Sequence, residues 1–263
     1  MVVVSLTVRK SSPGSLLNAD KTCDHRPLFV LFHHAGGASS VFYSWVERLE
    51  AHGEVVALDL PGRRRRLHDP VIRDITSAIV DVTETLRAAL GTRPGRPFMM
   101  LGHSMGALLA YEAALDLRSK GFREPEALFV SGSRVPSEYG ESTRLLGIGG
   151  DADIAAEALG GSSELMALGA RLPSPERIAL LQADLEICRS RRQRGEAPLS
   201  CPVIALTGRG DSVATSEQIK RWARYTTGPF SRREYSGSHF FLFDDAVASE
   251  VVDELICWAD QIY

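Results

Sequence analysis

The feature that most restricts this chain is an alternation. Short, continuously apolar runs are separated by longer stretches with helical periodicity. Residues 28–32 form the first run, followed by 54–58, 97–101, 127–130 and 202–206, and the polar stretch 231–235 reads as a further strand. Between them, 40–51 carries Phe42, Trp45, Val46 and Leu49 on one helical face, and 74–90 carries Ile75, Ile79, Val82 and Leu86. A helix over 107–120 is stopped by Gly121, another is predicted over 216–225, and 245–262 closes the chain with Val247, Val251, Leu255, Trp258 and Ile262 in a stripe. Runs apolar on both faces and separated by helices predict an α/β fold, with a mostly parallel central sheet flanked by helices on both sides. Such sheets place their sites at the carboxyl ends of strands.

Two segments depart from the alternation. Residues 1–25 read as peripheral, with a short apolar run broken by Ser11, Ser12, Pro13, Gly14 and Ser15. Residues 136–199 contain no convincing strand and read as a helical lid inserted into a core made of 26–135 and 200–263. The best lid helix is 175–194. Ser174 is its N-cap and Pro175 its first residue, where the missing N–H costs nothing. Ile178, Leu181, Leu185 and Cys188 form its apolar stripe, and Arg189, Arg191, Arg192 and Arg194 crowd its last turns, where positive charge suits the helix dipole.

Composition removes several classes of function. Thirty basic and thirty-three acidic residues give a net charge of −3, which excludes nucleic-acid binding by bulk charge. No apolar run approaches the roughly 18 residues of a membrane helix. The first ten residues lack the basic region of a signal peptide. Cys23, Cys188, Cys201 and Cys257 are far apart and read as free thiols of a cytoplasmic protein. No histidine stands at ligand spacing from them, so no metal site is expected.

Gly102, His103, Ser104, Met105 and Gly106 match G-x-S-x-G. The pattern is common enough by chance to carry little weight alone, but here it follows an apolar run and opens a helix. That is the strand–turn–helix setting that pushes a serine out over a sheet edge. A serine hydroxyl needs a base to become a nucleophile. Only His239 lies C-terminal to Ser104 among the histidines, in a loop between the last strand and the closing helix. The acid that orients it is best supplied by Asp211, just past the strand 202–206; Asp116 and Asp184 fall inside helices, Asp151 and Asp153 in the lid, and Asp244 and Asp245 start the last helix. The oxyanion formed on attack needs preorganised N–H donors. Met105 supplies one, and the loop His33, His34, Ala35, Gly36, Gly37 the other, with Ala35 preferred and Gly36 second. His34, with no second cluster of metal-type ligands beside it, is expected to border the substrate rather than to bind a metal.

With those residues in place the chain resembles the type II thioesterases of the α/β-hydrolase superfamily, free-standing enzymes that serve polyketide and nonribosomal peptide synthases. The resemblance is carried by HHAGGASSVFYSW (33–45), VVALDLPGRRRR (55–66), GHSMGALLAYE (102–112), LTGRGDSVAT (206–215) and GSHFFL (237–242), and it spans about 26–262. It implies Ser104, Asp211 and His239 as the catalytic triad and a helical lid over 136–199. It also implies the substrate: acyl groups held as thioesters on the phosphopantetheine arm of acyl or peptidyl carrier proteins, removed when stalled or mis-primed. The enzyme itself needs no cofactor. The chain departs from the family at His33, where a proline is usual, and at Arg209 and Gly210, where an acidic cluster is usual.

Other readings stay open at this level. The residues alone reach only an acyl-transfer hydrolase, so a general carboxylesterase, an acyltransferase or a medium-chain fatty acyl-carrier thioesterase would share the same site. Arg63, Arg64, Arg65 and Arg66 read either as a solvated loop or as a contact for an acidic carrier protein or its phosphate. Leu165, Met166, Leu168, Leu172, Leu181 and Leu185 read either as core or as the lining of an acyl pocket.

Overall fold

A computed structural model describes residues 26–91, 95–140, 174–193, 195 and 197–261. Its centre is a six-stranded sheet built from β1 (Leu28–Phe32), β2 (Glu54–Ala57), β3 (Phe98–His103), β4 (Ala127–Ser131), β5 (Val203–Gly208) and β6 (Phe230–Tyr235). The order is β2-β1-β3-β4-β5-β6, and every neighbouring pair is parallel. Burial follows the order. Every residue of β1, β3, β4 and β5 is buried, whereas β2 and β6, at the two edges, are only partly covered. The apolar runs of the four central strands are what a strand covered on both faces requires.

Strand alternation divides the core in two. Leu28, Val30 and Phe32 of β1 face one cluster, and Phe29 and Leu31 the other. The first cluster is covered by α2 (Ile75–Leu90), α3 (Met105–Ser119), α4 (Pro175–Ser190) and α5 (Ser216–Lys220); the second by α1 (Tyr43–Glu50) and α6 (Asp245–Asp260). Local chemistry marks the helix starts. Asp74 accepts from the Ser77 N–H, Thr215 and Gln218 form a capping box, and Asp244 accepts from the Ala246 and Val247 N–H groups.

Three helices are shorter than their periodicity predicts. The stretch expected as one helix over 40–51 starts with a 3-10 turn, Ser39–Phe42, before α1 begins. The stretch 216–225 tightens after α5 into a 3-10 turn, Arg221–Tyr225, where buried Trp222 donates its indole N–H to the Ser133 carbonyl at 2.8 Å. The helix expected to run to 194 ends at Ser190 because Arg191 turns inward. Its backbone becomes extended, and its guanidinium donates to Glu112 Oε1 at 2.9 Å and to the Pro136 carbonyl at 3.0 Å. Arg191 is therefore a buried partner of Glu112 and not a solvated charge at a helix end.

Of the expected lid, residues 141–173 lie outside the described residues, as does the expected peripheral segment 1–25 with Cys23. The described remainder includes the 3-10 turn Pro136–Glu138 and α4. Helix α4 packs on α2 and α3, and of its predicted stripe Leu181, Leu185 and Cys188 are buried while Ile178 is 37% exposed. Cys188, Cys201 and Cys257 are free thiols. Among the described residues no helix is long and apolar enough to cross a membrane.

Candidate active site

Chain order reverses at β1. Strand β2 lies on one side of it and β3 on the other, so the loop after β1 and the turn after β3 meet at the same carboxyl edge. The turn after β3 is abrupt. Ser104 sits at φ 56°, ψ −120°, a left-handed conformation that side-chain-bearing residues rarely adopt, and is followed at once by α3. Its N–H is held by the Ser131 carbonyl at 2.8 Å. The flanking glycines are sterically obligatory. A Cβ on Gly102 would lie 2.2 Å from the Gly106 carbonyl oxygen, and one on Gly106 would lie 2.3 Å from the Phe32 carbonyl oxygen.

Three predicted residues converge there. His239 Nε2 is 3.1 Å from Ser104 Oγ, and His239 Nδ1 is 3.0 Å from Asp211 Oδ2. The second carboxylate oxygen of Asp211 accepts from the Val213 and Ala214 N–H groups at 2.8 and 2.9 Å. This arrangement, a carboxylate folded back onto amides two and three residues on, fixes the carboxylate plane before the imidazole meets it. All three side chains are buried, at the ends of β3 and β5 and in the loop after β6. Such a chain lets the imidazole take the serine proton while the carboxylate holds the tautomer with its proton on Nδ1.

The loop after β1 is pinned by its own imidazoles. His33 Nδ1 lies 2.7 Å from the His34 carbonyl, and His34 Nδ1 lies 2.9 Å from the Ala35 carbonyl; carbonyl oxygens only accept, so both Nδ1 atoms carry hydrogen. Burial holds the pKa of His33 well below the usual imidazole value, with the Arg63 guanidinium adding to the effect. Burial likewise takes His34 down to about 4 and lowers His103, which stands behind His239 with ring centroids 5.0 Å apart. The rings of His34, His103, His239, Phe240 and Phe243 form one contiguous aromatic group.

The two expected oxyanion donors differ from the second choice in one respect. Among the described residues the Ala35 and Met105 N–H groups make no hydrogen bond, Met105 being at the open N-terminus of α3. The Gly36 N–H is already taken, donating to Asp184 Oδ2 at 2.7 Å, which removes Gly36 as a donor. Asp184 was expected only as a helix residue. It is fully buried and receives the Arg63 guanidinium in a two-pronged pair, at 2.9 and 2.8 Å, while Arg63 also donates to the Gly37 carbonyl at 2.9 Å.

That pair changes the reading of the basic run. Arg63 is buried, Arg66 pairs with Asp81 at 2.7 Å and Asp69 at 2.8 Å, and Arg64 packs over the Tyr43 ring near Asp59. Arg65 also has a partner. Arg63 and Arg66 tie loops to the body, whereas Arg64 and Arg65 lie at the exposed surface of the run.

A cavity of about 470 Å³ opens beside the loop, lined by His34, Gly36, Gly37, Arg63, Arg177, Leu180 and Phe240 among others. It adjoins His239 through Phe240, whose ring centroid is 5.1 Å from that imidazole. Of the residues expected to line an acyl pocket, Leu181 packs against Gly36 and Leu185 lies in the same core cluster, while Leu165, Met166, Leu168 and Leu172 lie outside the described residues. Leu180 is the α4 leucine on the cavity wall. Nothing in the helical periodicity singled it out, because it lies beside the apolar stripe.

Comparison with known proteins places this geometry in context. A family described as a thioesterase domain matches residues 26–256. The thioesterase PikA5 of Streptomyces venezuelae is 34% identical over 239 residues, covering 86% of this chain and 80% of that protein. The solved structure of RedJ, a thioesterase from the prodiginine biosynthetic pathway of Streptomyces coelicolor, superposes with a TM-score of 0.73 at 34% identity, covering 88% of this chain and 89% of that one. YbtT, a type II thioesterase from the yersiniabactin NRPS/PKS pathway, gives a TM-score of 0.66 at 29% identity over 87% and 92% of the two chains.

Proposed function

Since the chain belongs to the thioesterase domain family, we propose that Ser104, His239 and Asp211 carry out its thioester hydrolysis and that its substrates are acyl groups on carrier proteins of a polyketide or nonribosomal peptide synthase. The observation that carries the first part is the continuous Ser104–His239–Asp211 hydrogen-bonded chain, with links of 3.1 and 3.0 Å. The second part is supported by relatives such as YbtT from an NRPS/PKS pathway and RedJ from a biosynthetic pathway.

The geometry allows a complete cycle. Ser104 Oγ attacks the thioester carbonyl as His239 Nε2 takes its proton. The carbonyl oxygen becomes an oxyanion received by the Ala35 and Met105 N–H groups. The C–S bond breaks, and the sulfur of the phosphopantetheine arm leaves as a thiol with the proton from His239. Water then attacks the acyl-Ser104 ester with His239 again as base, and the free acid departs. Every proton is moved by the imidazole, so the cycle calls for no cofactor of the enzyme; the phosphopantetheine belongs to the substrate. In this reading residues 136–199 form the lid, and the cavity beside His34 receives part of the substrate.

The test compares kcat/KM on acyl-carrier-protein thioesters with that on a small oxygen ester, in the wild type and in Ser104→Ala. The expected result is a strong preference for the carrier thioester and loss of all turnover in the variant. Equal efficiency on both substrates would instead make the protein a general esterase. A panel of acyl chains separates an editing enzyme, tolerant of short and varied groups, from one confined to medium-chain fatty acyl groups.

A further inference from the structure

We propose that Asp184, together with Arg63, is a positioning element for the oxyanion loop, through which helix α4 sets the direction of the Ala35 N–H. The proposal rests on the acyl-enzyme reading above, because it concerns the donor that receives the oxyanion in that cycle.

The observations are a set of bonds on two consecutive peptide units. The His34–Ala35 unit has its carbonyl held by the His33 imidazole at 2.7 Å and by the Gly37 N–H at 3.0 Å. A trans peptide is planar, with C=O and N–H on opposite sides, so fixing that carbonyl aims the Ala35 N–H the other way. The next unit, Ala35–Gly36, is held at both ends: its carbonyl by the His34 imidazole at 2.9 Å, and its N–H by Asp184 Oδ2 at 2.7 Å. Of these holders, Asp184 alone comes from a distant element, 148 residues from Gly36 along the chain.

Asp184 can grip that amide because Arg63 grips Asp184. The side chains are 0% and 4% exposed, and the guanidinium spans both carboxylate oxygens while its first prong also reaches the Gly37 carbonyl. One carboxylate therefore joins three segments: α4, the loop after β1 and the loop after β2. The contact is tight sterically as well. Gly36 has φ +72°, and a Cβ there would come within 3.3 Å of a Leu181 methyl on α4. Any shift of α4 is transmitted to the peptide carrying the Ala35 carbonyl, and so to the torsion that orients the Ala35 N–H. The two imidazoles fix the loop locally; Asp184 and Arg63 fix it relative to the rest of the molecule.

The experiment uses two variants, Asp184→Asn and the pair replacement Arg63→Met with Asp184→Leu. The second removes the buried charges together, which spares the fold the penalty of one unpaired ion. Each is assayed for kcat and KM on a carrier thioester. Each is also assayed for affinity toward an acyl trifluoromethyl ketone, whose carbonyl gains an oxyanion when Ser104 adds to it. Both variants are expected to lose about 10- to 100-fold in kcat, with a parallel loss of ketone affinity and KM within about twofold, as a displaced oxyanion donor requires. Wild-type kcat and ketone affinity in the pair replacement would overturn the proposal, as would a change in KM with ketone affinity intact. Failure of both variants to fold would assign the pair to stability and overturn it equally. A fully active Ser104→Ala control would refute the acyl-enzyme reading itself, an outcome distinct from all of these.

Discussion

Asp211 has no freedom in how it meets His239. One of its oxygens is committed to the Val213 and Ala214 amides, and only the other faces the imidazole. Asp211→Asn therefore places its carbonyl oxygen on the two amides and its NH₂ against His239 Nδ1. That forces the proton onto Nε2, where it faces the serine and cannot accept from it. The expected outcome is a loss of roughly three to four orders of magnitude in kcat with KM little changed, read by steady-state kinetics on a thioester. At this scale the sequence was informative where one residue type had a single eligible position: Ser104 in its turn and His239 as the sole histidine downstream. It was silent where the partner comes from afar. Arg63 and Asp184 are 121 residues apart, and nothing local in either segment marks them as a pair. The run of four arginines read as a surface, which holds for Arg64 and Arg65 but not for Arg63, because charge patterns in sequence do not reveal which carboxylates the fold brings to them.

At the scale of elements, the turn between β3 and α3 is held by close backbone approach. Gly106→Ala would press a methyl to within 2.3 Å of the Phe32 carbonyl, and no side chain is there to yield. The expected destabilisation is about 3 kcal/mol or more, seen as a fall in the urea midpoint, with activity lost even in the folded fraction. The end of α4 makes a second prediction. Glu112→Ala leaves the buried Arg191 guanidinium without its carboxylate, and about 3–5 kcal/mol of stability should go with it. Measurement of urea unfolding in Glu112→Ala beside the wild type checks this; a difference under about 1 kcal/mol contradicts it. Periodicity located α4 and its start but overran its end, because the residue that stops it does so by turning toward a distant glutamate and carries no stop signal of its own.

For the molecule as a whole, the neutral imidazoles set the acid limit. His33 and His103 are held well below the usual value and His34 to about 4, in each case first by burial. The unfolded chain protonates these groups near 6.5, so between that pH and the folded values it binds more protons than the folded protein does. Their contribution to stability is therefore level above about pH 7 and falls as pH drops through 6.5, by up to about 1.4 kcal/mol per pH unit for each of the imidazoles. Thermal unfolding from pH 8 to pH 5 should show a level Tm that bends downward below about 6.5; a level Tm throughout contradicts the burial of neutral rings. The parallel sheet itself was legible, because strands covered on both faces must be apolar at every position. Its strand order was not, since order depends on which crossovers pack and not on the runs themselves.

That order has a kinetic meaning. The nucleophile and its base are 135 residues apart, delivered by β3 near the middle of the sheet and by the segment following its last edge strand. A nascent or refolding chain that has docked five strands presents a serine with nothing to deprotonate it. Hydrolysis during refolding should consequently lag behind the recovery of helical ellipticity, making the enzyme's own turnover a clock for the final strand's arrival.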